Sequence, residues 1–93
     1  PRQDIRTSLI AMKQGGELKP GIDVPQLATA LIGVYWSSFI LQDKGLVKHQ
    51  DLGLITEMNV LSLLVASTQG ASQKILQQEL NKAILAGESR SSG

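Results

Sequence analysis

The segment Val24–Leu41, VPQLATALIGVYWSSFIL, runs for eighteen positions without a charged side chain and decides the fold. Asp23, directly before it, is a good N-cap, and Gln26 can complete a capping box. Gly45 follows as an expected terminator, so the sequence predicts a helix over about 24–42. A helix that is apolar over most of its circumference must lie in a core, against a second subunit or in a membrane.

Three further segments carry helical patterns. Ile5, Leu9 and Met12 are spaced i, i+4, i+7 on one stripe, which predicts an amphipathic helix before the two glycines that follow it. The apolar residues of the third helix cover more than one face, whereas those of the fourth form one stripe. The predicted helices cover about 2–14, 24–42, 52–67 and 71–86, and whether the last two are continuous through Gly70 stays open.

The fold class that follows is all-α, a four-helix domain. Aromatic residues make up only 3% of the chain, and strands are normally enriched in aromatic and β-branched side chains. With 93 residues the chain has room for one small domain, which we expect to span about 1–87. The Ser-rich residues 88–93 predict a disordered tail.

Composition argues against several classes of function. There is no cysteine, so disulfides, thiolate metal sites and thiol catalysis are excluded, and a reducing, cytoplasmic location fits. Carboxylates are spread singly, and the only histidine, His49, has no paired acid at ligand spacing. We therefore expect no metal, no cofactor and no catalytic residue, in a protein that is not an enzyme. The nine Lys and Arg residues are scattered and the net charge is +1, which predicts no nucleic-acid surface in this chain.

The surplus apolar surface of the second and third helices predicts a homodimer built as a helical bundle. Each of these helices can bury one stripe within its own subunit and another across a two-fold axis. Small residues at i, i+4 and i+8 of the second helix allow another helix to approach closely. The alternative is that this stripe faces water or a neighbouring helix of the same chain. The candidate interface residues are Thr29, Gly33, Ser37, Ile40, Leu61 and Leu64.

No membrane contact is expected from the second helix. A spanning helix needs about 20 apolar residues. The uncharged segment is slightly shorter and contains the polar residues Gln26, Thr29, Ser37 and Ser38. The next apolar helix carries Glu57, which also argues against insertion.

Five residues are candidates for a small-molecule pocket. Tyr35, Trp36 and Phe39 are all the Phe, Tyr and Trp residues of the chain, and such clusters line ligand pockets as well as interfaces. Core or interface packing is the favoured alternative for these rings. Glu57, next to Met58, falls within the apolar arc of its helix, where it could anchor a ligand or pair across a dimer. The favoured alternative for Glu57 is that it reaches solvent near the helix N-terminus, where the helix dipole stabilises a carboxylate.

The segment Gly16–Asp23, GELKPGID, followed by Pro25–Gly33, PQLATALIG, resembles a pattern in the tetracycline-repressor family of bacterial transcription regulators. In the C-terminal domains of that family, a helix ends in a Gly-Glu-Leu-basic turn and an Asp then starts a long apolar helix. A short charged loop and another apolar helix with a Leu-rich end follow. The resemblance covers about Ile5 to Gly70.

The resemblance implies an all-helical ligand-sensing and dimerisation domain. The two apolar helices would pair with their mates in a second subunit, and a small apolar ligand would bind between helices and change the spacing of DNA-binding heads. The family's helix-turn-helix domain is not among these 93 residues, so the resemblance implies DNA contact only through a domain outside this chain. The alternative function is a small helical protein–protein interaction or assembly module with no small-molecule ligand, which would use its last, amphipathic helix to dock.

Overall fold

Four α-helices make up most of the computed structural model, which describes the backbone of residues 2–92 and the side chains of residues 5–88. They are α1 (Arg2–Gln14), α2 (Val24–Asp43), α3 (His49–Ser67) and α4 (Gly70–Ser92). No strand occurs within residues 2–92, and the predicted all-α four-helix fold is confirmed. Helices that follow one another in the chain pack together, α1 on α2, α2 on α3 and α3 on α4.

Local hydrogen bonds set the starts of α2 and α3. Asp23 is the N-cap of α2, and its carboxylate accepts a hydrogen bond from the backbone N–H of Gln26 at 3.0 Å, as the sequence predicts. α3 begins at His49, earlier than the predicted start near residue 52. The reason is that Lys48 takes the extended conformation of an N-cap, and its carbonyl accepts from the N–H of Asp51 at 3.0 Å.

The main core lies between α1, the N-terminal half of α2 and α3. Val60, Leu63 and Leu64 of α3 pack against a buried cluster from the rest of the core. A smaller contact buries Leu80 and Ala83 of α4. The main core ends about halfway along α2, so the second half of that helix is covered much less. The buried cluster consists of Leu9, Leu18, Val24, Leu27, Ala28 and Leu31.

The loop between α1 and α2 is tied to the junction between α3 and α4. The N–H of Lys19 donates to the carbonyl of Ser67, and the N–H of Gln69 donates to the carbonyl of Glu17, each at 2.9 Å. These bonds flank Thr68, which is fully buried. The Gly-Glu-Leu-Lys motif of the loop therefore has a structural role, since its backbone holds two distant turns together.

α3 and α4 are separate helices, which answers the question that the sequence leaves open. Thr68 caps α3 in an extended conformation, with φ −107° and ψ 167°. Gly70 then takes φ +69°, a left-handed conformation that costs most other residues about 1–2 kcal/mol. These two conformations break the helix, and α4 runs back along α3.

α4 extends past its predicted end. The predicted helix stops near residue 86 and gives way to a disordered tail over 88–93, whereas α4 continues to Ser92; Gly93 lies outside the described residues. At Gly87 this extended part of α4 lies against α3. A Cβ atom on Gly87 would lie 3.4 Å from Cδ2 of Leu54 and 3.9 Å from Sδ of Met58. Contact with α3 therefore stabilises the helix across a residue that is a poor helix former.

The fold is elongated, with principal extents of 42 × 25 × 19 Å. Its radius of gyration is 14.4 Å, compared with about 12 Å for a compact domain of this length. Its accessible surface is 6300 Å², whereas a monomer of 10.0 kDa typically exposes about 5,200 Å². The isolated chain thus exposes about 1,000 Å² more than a compact monomer of its mass.

Candidate functional site

An exposed, largely apolar surface runs along α2. Trp36 and Phe39 are each 62% exposed, and Ile40 is 56% exposed. Clustered apolar side chains with this much exposure are typical of protein–protein or membrane contact sites. The members of this surface recur at steps of three and four residues, so they share one side of the helix. We call this set the α2 outer face; it consists of Thr29, Ile32, Gly33, Trp36, Phe39 and Ile40.

The buried side of α2 explains why this surface points outward. Leu27, Ala28 and Leu31 belong to the buried cluster that α1 and α3 cover. At 100° per residue, Leu27 lies on the opposite side of the helix from Trp36. Burial of that aliphatic side against α1 therefore turns the aromatic side toward solvent.

A polar contact holds the second half of α2 against α3. Ser38 is buried, and its hydroxyl donates to the carbonyl of Val34 at 3.0 Å. The hydroxyl of Thr56 in α3 donates in turn to Ser38 Oγ at 2.8 Å. Small hydroxyl side chains make this contact between the two helices. The neighbouring rings of Trp36 and Phe39 take no part in it and remain exposed.

An open hollow of about 670 Å³ is lined by Trp36, Phe39, Ile40, Gln42 and Asp43. All five residues belong to α2, so the hollow is a depression beside one helix and not a cavity between helices. Tyr35, the third aromatic residue, is 45% exposed and does not line it. These aromatic residues therefore do not form an enclosed pocket in the isolated chain.

The two predicted pocket residues of α3 lie away from this hollow. Glu57 is exposed, in agreement with the alternative that its carboxylate reaches solvent. Met58 is half-buried, and its sulfur lies where α3 meets Gly87 of α4. Neither residue lines the hollow, so the structure does not bring the five pocket candidates together.

The predicted interface residues of α2 are mostly more exposed than those of α3. Thr29, Gly33 and Ile40 lie together on the α2 outer face, and Ser37 is exposed beside it. The structure therefore unites the small-residue stripe with the aromatic residues on one surface.

On α3, by contrast, the chain's own helices cover most of the apolar surface, including part of the surface predicted to face a second subunit. Leu64 is half-buried and packs against the core cluster of α1 and α2, so part of its side chain is covered within the chain and its interface role stays a prediction. Leu61 is half-buried. The reason is that α3 lies between α2 and α4 and is packed on both.

One member of the outer face lies outside the sequence prediction. Ile32 is not among the predicted interface residues, and the sequence analysis names Trp36 and Phe39 as pocket candidates while favouring core or interface packing for them. Thr29, Ile32, Trp36 and Phe39 follow each other at steps of three, four and three residues, which is the spacing of a coiled-coil seam. That spacing is the sequence signal that places them on one side of the helix.

The described side chains contain no obvious metal centre. Among residues 5–88, no three His, Asp or Glu side chains are grouped so that they could hold a metal ion. His49, the first residue of α3, is exposed, and its Nδ1 accepts a hydrogen bond from the side-chain amide of Gln42. This contact links the ends of α2 and α3 across their loop.

α2 also has the length and composition of a membrane-spanning helix, the one such helix within the described residues. Core helices of soluble proteins and signal sequences share these properties, so the finding does not separate a lipid from a protein partner. In the fold, 28% of the apolar window of α2 is buried. The rest of the window is half-buried or exposed in the isolated chain.

No protein-family model, no curated protein and no solved structure matches this chain. The resemblance to the tetracycline-repressor family therefore rests on the residues quoted for it.

Proposed function

We propose that this chain is the dimerisation part of the ligand-sensing domain of a bacterial transcription regulator similar to the tetracycline-repressor family. The α2 outer face is the observation that carries the proposal, because Trp36 and Phe39 are each 62% exposed on an uncharged side of a helix. Exposed aromatic residues are frequent energetic anchors of protein interfaces. Charged residues are depleted from the cores of such interfaces, as they are from this face.

The exposed area supports a homodimer. The isolated chain exposes about 1,000 Å² more than a compact monomer of its mass, and a standard interface buries about 800 Å² on each partner. Two-fold dimers are the commonest homo-oligomers, and in them the same patch on each copy is covered. One pairing of α2 outer faces would remove the exposed parts of Trp36, Phe39 and Ile40 from water.

The remaining parts of the proposal concern the ligand and DNA. The hollow beside Trp36 and Asp43 is the chain's own contribution to a site for a small apolar ligand, and the second copy would cover it. DNA would be contacted in the cytoplasm only by a domain outside this chain. The proposal assigns this chain no catalytic, metal-binding or cofactor-binding role.

A small helical interaction module is the alternative function, and the position of α4 argues against it. That function requires α4 to be free to dock its apolar stripe into another protein. Leu80 and Ala83 of that stripe are buried, and α4 packs along α3. The centre of the stripe is thus already in use within the chain, whereas Ile75 and Leu85 of α4 stay exposed.

Sedimentation velocity over a concentration series tests the proposal with a matched pair of variants. We expect the wild-type chain to form a species of about twice the 10.0 kDa monomer mass. Ile40→Glu should weaken this dimer about tenfold or more, because an unpaired charge would be buried on the outer face. Ile75→Glu is the control, since Ile75 lies on α4 and is 61% exposed, close to the 56% of Ile40; its dimer should be unchanged.

Two results would contradict the proposal. One is a wild-type chain that stays monomeric at every concentration, and the other is an equal loss of dimer in both variants. If the wild-type chain floats with phosphatidylcholine vesicles and Ile40→Glu does not, the α2 outer face is a membrane surface instead.

A further inference from the structure

We infer that the dimer pairs α2 with α2 of the second copy in antiparallel orientation, with Trp36 packed beside Gly33 of the partner copy and Ile40 beside Thr29 of the partner copy. This inference rests on the proposed dimerisation and specifies its register. The occupant of the α2 outer face is then a second copy of this chain.

The order of residue sizes along α2 favours this register. Thr29 and Gly33 are small and occupy the first half of the outer face, whereas Trp36 and Ile40 are large and occupy the second half. An antiparallel two-fold axis that passes between residues 34 and 35 places each small residue in the same layer as a large one. A parallel pairing would instead stack Trp36 on Trp36 and leave a gap at Gly33, and close packing disfavours such voids.

The surroundings of Gly33 and Thr29 suit this arrangement. A Cβ atom on Gly33 would meet no atom of the chain within 4 Å, so the space in front of this glycine is open to an incoming ring. The hydroxyl of Thr29 donates to the carbonyl of Pro25 at 2.9 Å. Since its polar hydrogen is already bonded, Thr29 can enter an apolar interface without an unsatisfied donor.

The ends of the paired segment are chemically compatible as well. In this register Asp43 lies beside Gln26 of the partner copy, so a carboxylate meets a side chain that can donate a hydrogen bond. The uncharged segment Val24–Leu41 separates the two ends, and no like charges oppose each other along it. The pairing therefore requires no buried unpaired charge.

Disulfide crosslinking tests the register directly, because the chain has no cysteine of its own. In the double variant Thr29→Cys/Ile40→Cys, oxidation should join the two copies into a covalent dimer on a non-reducing gel. The two positions are eleven residues apart on one helix, about 16 Å, which is too far for a bond within one copy. Each single variant should stay uncrosslinked, because equal positions of the two copies also lie about 16 Å apart.

A second pair of variants tests the close approach at Gly33 without relying on a disulfide. Gly33→Leu places a large side chain where Trp36 of the partner copy packs in this register, and should weaken the dimer about tenfold or more through overpacking. Gly53→Leu is the matched control, because Gly53 is also a helical glycine with no atom within 4 Å of an added Cβ. Leucine is a better helix former than glycine, so both variants should fold, which circular dichroism checks.

The outcomes separate this inference from the proposed function. A dimeric wild-type chain whose Thr29→Cys variant crosslinks as well as the double variant is paired in parallel, which overturns the register alone. A dimeric chain whose double variant does not crosslink, or that tolerates Gly33→Leu, also overturns the register alone. A monomeric wild-type chain overturns both the register and the proposed dimerisation.

Discussion

The hydroxyl of Thr56 donates a hydrogen bond to the hydroxyl of Ser38 at 2.8 Å, and this contact joins α3 to the part of α2 that lies beyond the main core. The hydroxyl of Ser38 in turn donates a hydrogen bond to the carbonyl of Val34 at 3.0 Å. Both hydroxyl groups are therefore bonded inside the fold. The contact fixes the rotation of α2, and with it the outward direction of the aromatic residues.

Removal of this contact should destabilise the fold moderately. We expect Thr56→Val and Ser38→Ala each to lower the free energy of unfolding by about 1 kcal/mol, because each removes the hydrogen bond between the helices. The double variant should cost less than the sum of the two, since both substitutions remove the same bond. Urea unfolding of the four proteins measures this coupling, and strictly additive effects would show that the two residues do not interact.

Alanine substitutions at two glycines should change the stability of the fold in opposite directions. Gly70 has φ +69°, so Gly70→Ala should cost about 1–2 kcal/mol of stability. Gly53 is an exposed residue inside α3 with open space around an added Cβ, so Gly53→Ala should stabilise the fold by about 0.5–1 kcal/mol. Thermal unfolding of both variants is the measurement. A neutral Gly70→Ala would mean that α3 and α4 are not broken by a left-handed residue.

Alanine substitutions at a buried and at an exposed leucine should differ in how much stability they cost. Leu31 is 5% exposed in the cluster between α1, α2 and α3, so Leu31→Ala should cost about 2–5 kcal/mol. Leu46 is 72% exposed in the loop after α2, and Leu46→Ala should change stability by no more than about 0.5 kcal/mol. Chemical denaturation gives both values. Similar losses at the two positions would place the core elsewhere.

Trp36 is the only tryptophan of the chain, so its fluorescence reports on the α2 outer face alone. Its side chain is 62% exposed in the isolated chain, and dimerisation should bury the indole. The emission of the wild-type chain should therefore shift to shorter wavelength as concentration rises, over the range in which sedimentation detects the dimer. The Ile40→Glu variant should keep the emission of an exposed indole. A dimer whose emission equals that of the monomer would show that its interface lies on another surface.

Much of the fold could be predicted because its signals are local. The Asp23 cap, the uncharged run that becomes α2 and the glycines at the helix ends act within a few residues. The start of α3 and the end of α4 could not be placed as well. Lys48 is not a residue type preferred as an N-cap, and Gly87, a poor helix former, lies near Leu54, which is far away in the sequence.

The candidate site was only half predictable. Thr29, Gly33 and Ile40 follow from the search for a stripe that a second helix can approach, and the structure places them on one side of α2, where Thr29 and Ile40 are exposed and Gly33 is half-buried. The packing of the half-buried Leu64 against the core does not follow from periodicity, because α3 is apolar on several sides and any of them can be covered.

Local chemistry was thus sufficient to establish four helices, an all-α fold and a surplus of apolar surface on α2. Only the packed structure decided which side of α2 is exposed. The sides of this helix are similar in hydrophobicity, so their difference in free energy arises from contacts with distant segments, namely the aliphatic cluster around Leu9 and the hydroxyl of Thr56. These contacts bury Leu27 and Ser38 and leave Trp36 in solvent, and no rule that considers α2 by itself could choose between those faces.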